Sequence, residues 1–168
     1  MSLPIRIYGD PVLRKKLAAV DSHEDVLPHI PDMIETMYDD DGIGLSANQV
    51  GVNKRFFIIG EAAFEGSRPD TVFINPVILD ASDEKWDYEE GCLSVPGIRE
   101  EVERPLTITV RYMDIQGKEH EETLSDLPAR VFQHEFDHIN GVFFVDRISS
   151  LRRSLIRNKL KKLSNQHS

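Results

Sequence analysis

The sequence predicts an α+β fold, with antiparallel β-sheets packed around a central helix that carries a His-Glu-x-x-His motif and with a further helix at the C-terminus. Three observations lead there. Strand-like segments cluster in the middle of the chain with hairpin-like connections, helical periodicity falls between and after them, and no regular strand–helix–strand alternation occurs. The chain of 168 residues, 40% hydrophobic, is long enough for one compact core. It reads as one domain over residues 1–168, with 147–168 as a basic helix and tail.

In chain order, the segment up to Val20 is weakly patterned, with a turn at Asp10-Pro11 and Val12, Leu13 and Leu17 available for local packing. A helix follows from about Pro28 to Asp40, because Ile30, Met33, Ile34 and Met37 form one apolar face. Three aspartates before Gly42 oppose the helix dipole and stop it. Gly42 to Gly51 is a glycine-rich loop. Arg55–Ile59 reads as a buried strand, and Thr71–Ile74 as another that Val77–Leu79 continues past Asn75-Pro76, with Glu65–Asp70 an exposed loop. Glu89–Gly97 is bracketed by turn formers.

Leu106, Ile108, Val110 and Tyr112 alternate with polar residues, a half-buried strand that Asp114–Gly117 turns back into a polar partner over Lys118–Thr123. The motif helix runs from Leu127 to Asn140, capped by Ser125 or Asp126, with Pro128 in its first turn and Asn140-Gly141 closing it. After the short apolar run Val142–Val145, Ser149 or Ser150 caps a last helix bearing Leu151, Leu155, Ile156, Leu160 and Leu163.

Charge and composition exclude several classes. The net charge of −9 argues against general nucleic-acid or DNA binding. The charge is also uneven: residues 147–168 hold seven basic and no acidic side chains, leaving a body of net −16. One cysteine excludes an internal disulfide framework. Together with a start lacking a secretory leader, it points to a reducing cytoplasm. No stretch approaches the roughly 18 apolar residues of a membrane span.

The chemistry centres on Gln133-His134-Glu135-Phe136-Asp137-His138. On a helix His134 and His138 share a face and can bind one metal ion, with Glu135 beside them where a base for an activated water is wanted. A third ligand is needed. His167, 29 residues past His138, sits at the end of the chain and is a poor candidate. Glu119, Glu121 and Glu122 fall on an exposed-looking strand. Cys92, the one cysteine, reads by itself more readily as an inert buried thiol than as a ligand. With two histidines it completes a tetrahedral set with one open position. Gly42-x-Gly44-x-x-Ala47 fits a loose dinucleotide pattern, but it follows a helix instead of a strand and reads better as a loop that exposes backbone to a peptide.

Taken together, Gly42–Gln49, Glu90–Pro96 and Gln133–His138 resemble the three signature motifs of peptide deformylase, in that family's order and approximate spacing. The similarity runs from Gly9-Asp10-Pro11-Val12-Leu13-Arg14 to the C-terminal helix. Ser46 and Ile139 stand where the family usually has alanine and leucine. The resemblance implies hydrolytic removal of the formyl group from N-formylmethionine of nascent chains. It implies Cys92, His134 and His138 as metal ligands, Glu135 as general acid/base, and Gln49 with the Leu93 N–H as oxyanion donors. Iron(II) is the implied metal, with zinc, nickel or cobalt able to replace it.

The methionine pocket would use Ile43, Leu127, Arg130 (through its stem), Val131 and His134, and backbone pairing would use Ile43, Gly44 and Gly91. Glu90 and Arg99 are weaker candidates near the pocket. An Asp137–Arg104 pair would lie at the surface and contribute little. The basic last helix is either a solvated face or a contact for ribosomal RNA. Two other classes share part of the pattern: a metallopeptidase, which lacks the Glu-Gly-Cys-Leu-Ser stretch, and a His2Cys copper electron-transfer site, which has no need of Glu135.

Overall fold

The computed structural model describes residues 1–166. Its main sheet has five antiparallel strands in the order β1-β2-β3-β6-β7: β1 Gly44–Ser46, β2 Phe56–Ile59, β3 Thr71–Ala81, β6 Thr107–Met113 and β7 Glu119–Ser125. A second, two-stranded sheet, β4 Lys85–Cys92 with β5 Val95–Pro105, is inserted between β3 and β6. Three helices accompany them: α1 Ile30–Asp39, α2 Asp126–Ile139 and α3 Ser150–Asn165.

Most sequence expectations hold. Met33 and Met37 turn the apolar face of α1 inward. The strand expected over 71–74 does continue through 77–79, as β3; within it Asn75 takes a left-handed φ of 50° and its side chain exchanges 2.8 Å hydrogen bonds with the Val20 backbone at a register shift. Part of the glycine-rich loop is β1, a short edge strand that among the described residues pairs only with β2. Leu13 and Leu17 pack into different cores and not against each other.

Hydrophobic alternation does not reveal the hairpin β4–β5 as strands. Along β5 the inward positions are Val95, Ile98, Glu100, Val102 and Arg104, so two charged residues interrupt the apolar pattern. On α3, Ile156 and Leu160 are buried and Leu163 packs beside them, but Leu151 and Leu155 face solvent, so three of the five predicted residues form the stripe. Ser149 caps α3 through its hydroxyl, which accepts from Arg152 N–H at 3.2 Å. Ser125 precedes α2, but its hydroxyl bonds the Thr107 side chain at 2.9 Å and makes no cap.

Two apolar cores flank α2. Toward the main sheet, Phe132 meets Phe57 and Phe73 edge-on at 5.0 and 5.2 Å between ring centroids, an arrangement that aromatic quadrupoles favour. Toward the hairpin and α3, Phe143, Phe144, Val95, Val102, Ile156 and Leu160 form the second core. The end of α2 is closed by Gly141 at φ 78°, packed on the Arg14 backbone, and Leu17 N–H donates to the Ile139 carbonyl at 2.9 Å. Gly141→Ala places a methyl against the Arg14 carbonyl in a left-handed conformation. It is expected to cost at least about 1–3 kcal/mol, read as a lowered unfolding midpoint in urea.

Candidate metal centre and active site

α2 stacks His134 and His138 on one face, ring centroids 4.9 Å apart, backed by Phe144 and Phe143 of the second core. β4 ends at Cys92 and delivers its sulfur to them. Sγ lies 3.0 Å from His138 Nε2, and donor atoms of Cys92, His134 and His138 all fall within 4.8 Å of one another. Among the described residues no other set of three or more such side chains is close enough to share an ion. His167 lies outside the described residues.

The donor set fits a divalent metal. His134 Nδ1 faces Glu90 Oε1 at 2.8 Å, so this nitrogen carries the proton and Nε2 turns toward Cys92. Burial opposes charge on both rings. Hydrogen bonds to Cys92 and Glu90 nevertheless hold His134 well above the usual imidazole value, while burial and the His134 charge push His138 well below it. One sulfur and two imidazoles thus converge on a single point, a donor set that could hold a divalent ion.

Glu90 is the hub of the surrounding polar network. Oε2 accepts from Arg104 Nε and Arg130 NH1, both at 2.7 Å, and Oε1 accepts from Arg104 NH2 at 3.1 Å as well as from His134. Burial alone would raise this carboxyl, but the His134 and Arg104 bonds hold it far below the usual range. Arg104 continues to Asp137 at 2.8 Å, and Asp137 to Arg147 at 2.8 Å. The Asp137–Arg104 pair is therefore buried, with both side chains under a tenth exposed, and not the surface pair expected. The reason is that β5 turns Arg104 inward.

Gln49 is fixed at both ends. Its Oε1 accepts from Ser46 N–H at 2.9 Å, and its Nε2 donates to Ser94 Oγ at 3.0 Å while lying 3.6 Å from Cys92 Sγ. The amide nitrogen is thereby aimed at the donor cluster. Sequence reasoning misses Ser46 and Ser94 in this role, because each acts through local geometry that spacing does not reveal. Glu135 is 4% exposed, and its Oε1 has no hydrogen-bond partner among the described residues. Burial lifts its carboxyl to about 7, against the pull of His134 and Arg104 and with Glu90 adding to the rise.

These groups open onto a cleft of about 1140 Å³. Ile43, Gly44 and Gln49 line one wall and Gly91, Cys92 and Leu93 another, while Leu127, Arg130, Val131, His134 and Glu135 come from α2. Arg99 lies at the rim, 63% exposed and 3.2 Å from Glu89. Arg130 lines the cleft, and its guanidinium is fixed to Glu90 and to the carbonyls of Val102 and Trp86 at 2.7 and 2.8 Å.

Gly44 abuts the site: a Cβ there would lie 2.7 Å from Glu135 Oε2 and 2.9 Å from a Val131 methyl. Gly44→Ala is expected to displace the Glu135 carboxylate and lower kcat/KM by about 100-fold, with metal content unchanged by elemental analysis.

A family model for polypeptide deformylase matches residues 2–154. A peptide deformylase from Cytophaga hutchinsonii is 45% identical over 168 residues, covering 98% of this chain and 91% of that protein. One from Thermotoga maritima is 50% identical over 157 residues, 93% of each chain. The crystal structure of peptide deformylase from Thermus thermophilus aligns with a TM-score of 0.90 at 38% identity, covering 99% of both chains. The matches span nearly the whole chain, and the chain belongs to the peptide deformylase family, metal-dependent hydrolases that remove the N-formyl group from nascent polypeptides.

Proposed function

We propose that Cys92, His134 and His138 hold the catalytic metal, that Glu135 is the general acid/base, and that Gln49 Nε2 and the Leu93 N–H receive the oxyanion. The observation that carries this assignment is the convergence of three donor atoms within 4.8 Å beside an unpartnered, buried Glu135 oxygen. When bound, the metal supplies a Lewis acid that acidifies water and polarises the formyl oxygen.

Glu135, with its carboxyl near neutrality, takes a proton from water as the oxygen adds to the formyl carbon. Gln49 Nε2, preplaced by Ser46 and Ser94, then donates to the charge developing on the formyl oxygen. Glu135 returns the proton to the nitrogen as the C–N bond breaks, leaving formate and a free amine.

β1 and β4 each present an unpaired edge to the cleft, carrying Gly44 and Gly91. An extended substrate adds between them through the backbones of Ile43, Gly44 and Gly91. Its methionine enters among Leu127, Val131, Arg130 and His134. Iron(II) is the expected metal, and zinc, nickel or cobalt suit the same thiolate–imidazole set. The chain acts as one catalytic unit in the cytoplasm. No helix among the described residues is long and apolar enough to cross a membrane.

Protein purified without oxygen is expected to contain iron and to hydrolyse a formyl-Met peptide but not its acetyl analogue. Gln49→Leu is expected to lose about 100- to 1,000-fold in kcat while keeping its metal; full activity in that variant would remove Gln49 from the mechanism.

The second reading concerns α3. Arg157 and Lys161 stand one turn apart beside a groove closed by Tyr8, and no acidic side chain among the described residues pairs with either. We infer that this face meets ribosomal RNA. Ile156 and Leu160 anchor α3 in the core, so charge reversal is a cleaner test than truncation. Arg157→Glu/Lys161→Glu is expected to abolish cosedimentation with ribosomes at low salt and leave peptide deformylation intact.

A further inference from the structure

Arg130 is among the largest side chains buried in the molecule, at 2% exposed, and it projects from the helix that supplies two of the three donors. Its surroundings differ from those of Arg104, the other guanidinium on Glu90. Arg104 is shared between two carboxylates, Glu90 and Asp137. Glu90 is the one carboxylate hydrogen-bonded to Arg130 among the described residues, and the remaining Arg130 bonds go to the neutral carbonyls of Val102 and Trp86. The guanidinium also lies 5.3 Å from the Trp86 ring centroid and 5.6 Å from that of Tyr88. A buried cation so placed cannot leave its counter-ion without a large desolvation penalty. It therefore pins Glu90 Oε2, and Glu90 Oε1 in turn fixes His134 Nδ1.

We propose that Arg130 is a positioning residue for the metal centre: through Glu90 it sets the orientation of His134. This role goes beyond lining the methionine pocket, and it rests on the reading of His134 as a ligand. Because Arg130 also faces the cleft, one side chain joins the wall of the substrate pocket to the shell of the metal. Partners one step removed from a metal ligand typically govern affinity by about 10- to 100-fold.

The test uses the full-length protein loaded with Co(II), whose absorption reports ligand geometry without turnover. Arg130→Met keeps the bulk of the stem and removes the cation. It is expected to weaken Co(II) binding about 10- to 100-fold in chelator competition and to shift the visible Co(II) bands with no peptide present. Glu90→Gln is expected to do the same, and the double variant to be no worse than Glu90→Gln alone, since the two residues act in series.

An unchanged Co(II) spectrum and affinity with a raised KM would overturn the proposal and leave Arg130 as a pocket wall. Multiplicative losses in the double variant would also overturn it. Should Arg130→Met fail to fold, Arg130→Lys decides: the charge is kept but the fork is lost, so a shifted spectrum supports positioning and an identical one refutes it. If the parent protein binds no Co(II) through its thiolate, the ligand assignment itself has failed, an outcome separate from all of these.

Discussion

The constraint on which the rest of the structure depends is that α2 is buried on both sides. It packs Phe132 and Ile139 against the main sheet and sets its histidines against Phe143 and Phe144. Yet Arg130, Gln133, His134, Glu135, Asp137 and His138 are all buried on it. Polar groups placed in such surroundings must find partners on the spot or cost roughly 1–3 kcal/mol each. Gln133 donates to the Pro105 and Ala129 carbonyls, and Asp137 binds two arginines. Arg130 Nε, His138 Nδ1 and Glu135 Oε1 are the buried atoms on the helix left without a partner among the described residues; the Glu135 oxygen belongs to the group assigned to move protons.

The hairpin β4–β5 answers this demand. Inserted between two neighbouring strands of the main sheet, it brings Glu90, Cys92, Ser94 and Arg104 to the helix in one piece. Its inward face is partly ionic because it packs against a partly ionic helix. Removing one partner from a buried network of this kind typically costs about 3–5 kcal/mol, whereas replacing the whole network with apolar groups is often neutral. Its contribution is thus better read as geometry than as stability. Glu90 holds His134 and, through Arg104 and Asp137, the helix turn that carries His138.

What can be read in the sequence follows from the same physics. Elements with one clean apolar face are legible: α1 through Met33 and Met37, and β6 through Ile108 and Val110; α2 is legible through its motif and its closing Asn140-Gly141. The donors and Glu135 can be named because their chemistry is specific to residue type. The hairpin is hidden because Glu100 and Arg104 occupy inward positions, and hydrophobic alternation cannot signal a buried charge whose partner lies elsewhere in the chain. Asp137–Arg104 reads as a surface pair for that reason. On α3, Leu151 and Leu155 have the right spacing for burial, but no described element covers them.

Cys92 and His138 stand 46 residues apart, one at the tip of the hairpin and one on the helix. A metal held by both is also a cross-link, and it ties the part of the chain that forms the second core to the part that packs on the sheet. In the chain-entropy view a closure of that length removes about 4 kcal/mol worth of freedom from the unfolded ensemble. Such an ion would give a protein with a single cysteine what a disulfide confers, without any oxidation and only while the ion stayed bound.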